Sequence, residues 1–66
     1  MKFEIYFDTT ETSFLLLEQH ISPTTKEKMI GDSILIHEFE STYQDVVDTF
    51  QKFIKEYKEQ NSIVRP

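Results

Sequence analysis

The fold is decided near the end of the chain, where residues 41–61 read STYQDVVDTFQKFIKEYKEQN. Apolar side chains in this stretch recur at helical spacing and would share one face; they are Tyr43, Val46, Val47, Phe50, Phe53, Ile54 and Tyr57. Ser41 and Thr42 both suit a helix N-cap, and each is followed three residues later by a capping-box partner. The pattern predicts a long amphipathic helix that fades near Asn61, followed by a loose tail over residues 62–66.

Three strands are predicted upstream of this helix. Residues 2–8 alternate strictly between polar and apolar side chains, which is the period of a half-buried strand. Residues 14–21 follow a polar, turn-like segment and favour a second strand, although a helical stripe that starts at Phe14 is the alternative. Residues 34–40 favour a third strand, and because its apolar start occupies both faces, we expect it to lie in the centre of the sheet.

The connection over residues 22–32 has two interpretations. A serine–proline pair at 22–23 is typical of a helix start and Gly31 is typical of a helix end, which together predict a short helix over residues 23–30. The rival interpretation is a hairpin strand over residues 26–30 that ends in a tight turn at Gly31.

These elements predict an α+β fold: a small antiparallel sheet of about three strands packed against one long C-terminal helix, in the order βββα, with the short helix at 23–30 as an option. Residues 1–61 would form a single domain. Because one helix covers only one face of the sheet, the other face is expected to stay open for solvent or a partner. A chain of 66 residues without cysteine has no disulfide to support a small core, so we expect a homodimer.

Acidic charge is concentrated in the first part of the chain. Residues 1–48 carry ten carboxylates and three lysines, whereas residues 49–66 carry two carboxylates, three lysines and one arginine. The two balances, −7 and +2, make up the net charge of −5. Such a field steers association with a partner of opposite charge and disfavours direct binding to nucleic acid. No apolar run is long enough to cross a membrane, and we expect a cytoplasmic protein.

Residue patterns typical of catalysis are missing from the sequence. There is no glycine-rich phosphate loop, helix-borne zinc motif or nucleophile arrangement, so we expect a protein that is not an enzyme and needs no cofactor. The two histidines, His20 and His37, leave one alternative. If they lay on adjacent strands beside a glutamate, they would bind a divalent metal, and the chain would be a small metal-binding protein or enzyme.

The acids favour a protein partner. If folding gathers them on one continuous face, that face imitates a phosphate backbone and fits a basic groove, as small phage-encoded inhibitors of the DNA-mimic type do. We therefore expect a non-enzymatic acidic protein-binding module that inhibits or regulates a basic, nucleic-acid-binding protein. The residues expected to bind this partner are Glu4, Asp8, Glu11, Glu38, Glu40, Asp45 and Asp48. The alternative is a structural or assembly subunit that uses its open sheet face, with Tyr6, Ile34 and Ile36.

Overall fold

The computed structural model describes the backbone of residues 1–63 and the side chains of residues 1–60. Five elements follow one another along the chain: β1 (Lys2–Asp8), β2 (Ser13–Glu18), α1 (Pro23–Ile30), β3 (Ile34–Glu40) and α2 (Val46–Ile63). The predicted α+β fold is confirmed, together with its short extra helix. β2 ends three residues earlier than predicted, because the chain turns at residues 19–20.

β1 lies in the centre of the sheet, whose strand order is β2-β1-β3 with both pairs antiparallel. The expectation that residues 34–40 form the central strand is therefore wrong. β1 has polar residues at alternate positions, yet Glu4 and Tyr6 are buried, whereas Ile34 and Leu35 at the start of β3 are about half exposed. The alternation within a strand does not show whether another element will cover its polar face.

α2 packs against the sheet face that carries the apolar side chains of β1. The ring of Tyr57 lies 5.8 Å from that of Phe7, and the ring of Phe53 stacks on His37 at 4.4 Å. Ile5, between these contacts in the register, is 0% exposed. Partly buried aromatic rings thus fill much of the layer between helix and sheet, which suits a short chain because rings bury much area per residue.

α1 covers part of the opposite face of the sheet. Ser22 caps the helix by accepting a hydrogen bond from the Thr25 amide at 3.4 Å, and Gly31 ends it with a φ of 58°. The helical interpretation is thus confirmed and the hairpin strand is wrong. Lys26 reaches from α1 to Glu4 of β1, so the face that was expected to stay open is occupied over its central strand.

Thr42, rather than Ser41, caps α2. Its hydroxyl accepts a hydrogen bond from the Asp45 amide at 3.1 Å, and its carbonyl accepts the first helical hydrogen bond at 2.9 Å. The helix continues to Ile63, two residues beyond the predicted end, and residues 64–66 of the predicted tail lie outside the described residues. Over the part that is described, neither helix combines the length and apolar content needed to cross a bilayer.

Candidate protein-interaction surface

One end of the molecule gathers five carboxylates. At this end β1 begins, β2 and β3 stop and α2 starts, so four element termini meet. We call it the acidic end and define it by Glu18, Glu38, Glu40, Asp45 and Asp48. Four of these five residues belong to the set that the sequence predicts for partner binding.

Glu38 and Glu40 form a pair on β3. Both are exposed, and because they are two residues apart in a strand, their side chains point to the same face. The register sets them opposite Glu4 and Lys2 of β1. Among the described side chains neither forms an ion pair with a lysine, so their charge remains available to a partner.

Asp45 and Asp48 extend the negative charge onto the start of α2. Both are exposed, and the positive end of the helix dipole stabilises carboxylates at this position. Lys52 follows Asp48 by one turn, yet no ion pair joins these two described side chains. The lysines of α2 at 52, 55 and 58 lie further along the helix, toward the opposite end of the molecule.

Glu18 and Tyr43 complete the acidic end, although neither was selected from the sequence. Oε2 of Glu18 lies 2.8 Å from Nε2 of His20, and a hydrogen bond with Glu18 raises the pKa of the Tyr43 hydroxyl. Tyr43 is 61% exposed and meets the ring of Phe3 edge-on at 6.1 Å. Tyrosine is enriched at interaction hot spots, but the position of Tyr43 beside the Glu18 carboxylate becomes visible only in the folded chain.

Two shallow depressions lie at the same end of the molecule. One, of about 220 Å³, is lined by Lys2, Phe3, Gln19, Glu38, Phe39 and Glu40. The other, of about 270 Å³, is lined by Met1, Lys2, Gln19 and His20. Both are smaller than the roughly 300–1,000 Å³ typical of small-molecule sites, and their size suits the reception of one side chain of a partner.

Glu4 is separate from this surface because it is buried, with 6% of its area exposed. Its Oε1 accepts hydrogen bonds from the Lys26 ammonium and the Tyr6 hydroxyl, each at 2.8 Å. Burial alone would raise the pKa of Glu4, but the two hydrogen bonds and the charge of Lys26 together lower it below 4.5. Burial and the bond to Glu4 raise the pKa of Tyr6 to about 12. We therefore remove Glu4 from the interaction surface and assign it to the attachment of α1.

Asp8 and Glu11 lie at the opposite end of the sheet, at the turn between β1 and β2. Oδ1 of Asp8 accepts hydrogen bonds from the amides of Thr10 and Glu11 at 2.8 and 3.2 Å, so this carboxylate shapes the turn. Lys58 of α2 is on the same side of the molecule, 5.9 Å from the ring of Phe14. The structure thus divides the predicted acids between two ends instead of gathering them on one continuous face.

The two histidines do not meet. β1 lies between the strand that carries His37 and the strand that precedes His20, so the assumption that they occupy adjacent strands is wrong. His37 stacks between aromatic rings, and His20 pairs with Glu18. No group of three or more acidic, histidine or cysteine side chains within the described part is arranged to hold a metal ion.

No family model, curated protein or solved structure matches the chain. The functional interpretation therefore rests on the charge and shape of the acidic end. Exposed carboxylates, an exposed tyrosine and shallow depressions together suit contact with another macromolecule.

Proposed function

We propose that this protein is a non-enzymatic, acidic protein-binding module that engages a basic, nucleic-acid-binding protein and inhibits or regulates it in the manner of a DNA mimic. One observation carries the proposal. The acidic end holds five carboxylates beside Lys2 and the N-terminal ammonium, which leaves it net negative, and the lysines of α2 lie further along the helix. The proposal assumes action in the cytoplasm, without a metal or cofactor and without direct binding to nucleic acid.

Charge would act in two stages. The field of the acidic end attracts a cationic surface over about 10 Å at moderate ionic strength, which raises the rate of encounter. At contact, Glu38, Glu40 and Asp45 offer carboxylates to lysine and arginine side chains, as DNA offers phosphates. Tyr43 provides area for packing, and an aromatic group surrounded by charge is a common arrangement at interface centres.

Affinity capture with two matched double variants tests the proposal. Glu38→Gln with Glu40→Gln removes two charges from the acidic end, and Glu11→Gln with Asp32→Asn removes two from the opposite end. Asp32 belongs to that end because it lies just before β3, whose first residue, Ile34, pairs with Phe7 near the β1–β2 turn. We expect the wild type and the second variant to retain basic nucleic-acid-binding proteins from a lysate at about 0.05 M salt and to release them by about 0.5 M, where the screening length is roughly threefold shorter. The Glu38 and Glu40 variant should retain at least about fivefold less.

Double-stranded DNA provides the decisive competitor. A mimic and DNA occupy the same cationic groove, so added DNA should displace the captured proteins from the wild type. Equal retention by all three proteins, or retention unaffected by salt and DNA, would contradict the proposed function.

A second candidate function is assembly, with the homodimer as its simplest form. The face once expected to support it is covered in part by α1, and Tyr6 is only 7% exposed. The observation that favours assembly is elsewhere: Met29, Ile34 and Leu35 are each about half exposed near the junction of α1 and β3. Sedimentation analysis should then give a dimer that Leu35→Glu disrupts and that the double glutamine variant at Glu38 and Glu40 preserves.

A further inference from the structure

The outer edge of β3 is open. β3 pairs with β1 on one side only, and no other described backbone or side chain forms a hydrogen bond to its outer side. A strand edge of this kind presents rows of unpaired amides and carbonyls, which are a template for an additional strand.

The register identifies which residues present those groups. Met1 and Ser41 exchange two hydrogen bonds, with the Ser41 amide 2.9 Å from the Met1 carbonyl and the Met1 nitrogen 3.2 Å from the Ser41 carbonyl. In an antiparallel ladder, bonded and non-bonded pairs alternate, so the next pair, Lys2 with Glu40, is non-bonded. In agreement, the Lys2 carbonyl points toward β2 and accepts a hydrogen bond from the Gln19 amide at 2.9 Å.

The same alternation applies two residues further along the ladder. Phe3 and Phe39 are a bonded pair, and Glu4 and Glu38 are again non-bonded. The amides and carbonyls of Glu38 and Glu40 therefore point to the free edge. These residues also carry the exposed pair of carboxylates, so main-chain and side-chain recognition coincide.

We propose that the free edge of β3 binds an extended segment of the basic partner as a fourth strand, with lysine or arginine directly opposite Glu38 and Glu40. This inference rests on the proposed function and specifies its mode of binding. Residues opposite one another in a bonded pair have Cα atoms about 5.5 Å apart, and opposite charges there stabilise the pair. The residue between the two basic ones lies beside Phe39 and is apolar. The partner segment therefore has three consecutive residues in the order basic, apolar, basic.

A second copy of this chain fits the edge less well. In an antiparallel pair of β3 strands centred on Phe39, Glu38 of each copy would lie opposite Glu40 of the other. Like charges directly opposite are destabilising in a sheet, and each chain already carries a net charge of −5. Charge complementarity thus selects a basic occupant.

Synthetic peptides with modified backbones test the inference. The first peptide has Lys-Val-Arg at its centre, flanked by threonines; a second has the same composition with its basic residues adjacent. Two more carry N-methyl groups on the first sequence, either at the lysine and arginine, whose amides would face β3, or at the central valine, whose amide would face away. We expect the adjacent-basic peptide and the doubly methylated peptide to bind about tenfold or more weakly than the first, and the valine-methylated peptide to bind within about threefold.

Amide hydrogen exchange of the protein gives an independent readout. Binding of the first peptide should slow exchange at the amides of Glu38 and Glu40. It should leave Phe39 almost unchanged, because the Phe39 amide already bonds to β1.

The outcomes separate this inference from the proposed function. Equal affinity for all four peptides, without new protection at Glu38 and Glu40, would overturn strand addition while leaving the acidic module intact. Absence of binding by any basic peptide at low salt would overturn both. Protection at these two amides in the protein alone, increasing with protein concentration, would identify a second copy as the occupant and also overturn the inference.

Discussion

The ion pair between Lys26 and Glu4 is the residue-level contact on which the attachment of α1 depends. It joins residues 22 positions apart, and the Lys26 ammonium also donates to the Gln19 carbonyl at 3.1 Å. α1 has no fully buried residue of its own, so apolar packing holds it only weakly. A charged hydrogen bond inside a small fold can therefore determine the position of a whole element.

Lys26→Met should destabilise the protein by about 2–3 kcal/mol at pH 7, because it leaves the Glu4 carboxylate buried without a counter-ion. In the wild type the lowered pKa of Glu4 contributes stability above pH 4.5, and this contribution is lost as the pH falls through the folded-state pKa. The variant has no such interaction to lose, so its deficit should shrink below pH 4.5. Urea unfolding at pH 7 and at about pH 3.5 measures both effects.

A double variant, Lys26→Met with Glu4→Leu, provides the control for this prediction. Replacing both partners removes the unpaired charge, so the double variant should be more stable at pH 7 than Lys26→Met alone. If the double variant were the less stable of the two, the ion pair would not be the cause of the loss.

At the scale of the element, α2 depends on its first turn. Thr42 supplies both the side-chain cap and the first helical carbonyl, whereas the Ser41 hydroxyl bonds only to a neighbouring carbonyl, 3.3 Å away. The sequence left the two residues equivalent, because each has a capping-box partner. Only the path of the chain as it leaves β3 distinguishes them.

Thr42→Ala should lower the free energy of unfolding by about 1 kcal/mol, since the Asp45 amide loses its side-chain acceptor and keeps only the Thr42 carbonyl, 3.2 Å away. Ser41→Ala should change it by less than about 0.5 kcal/mol. Thermal unfolding followed by circular dichroism compares the two variants. A larger loss of stability in the Ser41 variant would show that Ser41, and not Thr42, caps α2.

Local pattern predicted α2 most clearly, whereas the order of the strands was not predictable. The apolar repeat of residues 43–57 identified α2, but the pattern of residues 22–32 left a short helix and a hairpin strand both open, and the structure shows the helix. The burial of Glu4 could not be predicted, because its partner Lys26 is on another element. The same limit applies to Glu18 and Tyr43, because the β1–β2 register sets Glu18 beside Phe3 and Tyr43 reaches Phe3 from the segment after β3.

On the scale of the whole molecule, stability depends on a very small interior. Of the described side chains, the buried apolar ones are Phe3, Ile5, Tyr6, Leu17 and Val46. A domain of this size has a stability of roughly 3–10 kcal/mol, so each of these residues contributes a large share. The fold that positions the acidic end therefore depends on a few buried side chains.

Ile5→Ala should cost about 3 kcal/mol, because it empties a fully buried position at the centre of the sheet. Ile34→Ala removes the same atoms from a side chain that is 52% exposed and should cost less than about 1 kcal/mol. Chemical denaturation of the two variants tests this; equal losses would show that the centre of the core is not at Ile5.

The place of β1 in the sheet also has a consequence for biosynthesis. β1 leaves the ribosome before the other four elements and acquires β2 after a short turn, but its second neighbour arrives only with residues 34–40. Until then one side of the central strand is accessible to other nascent chains, which is the circumstance in which edge-to-edge aggregation begins. Changes that delay α1 or β3 would prolong that interval, so yield in a cell would depend on the timing of translation as well as on the stability of the finished fold.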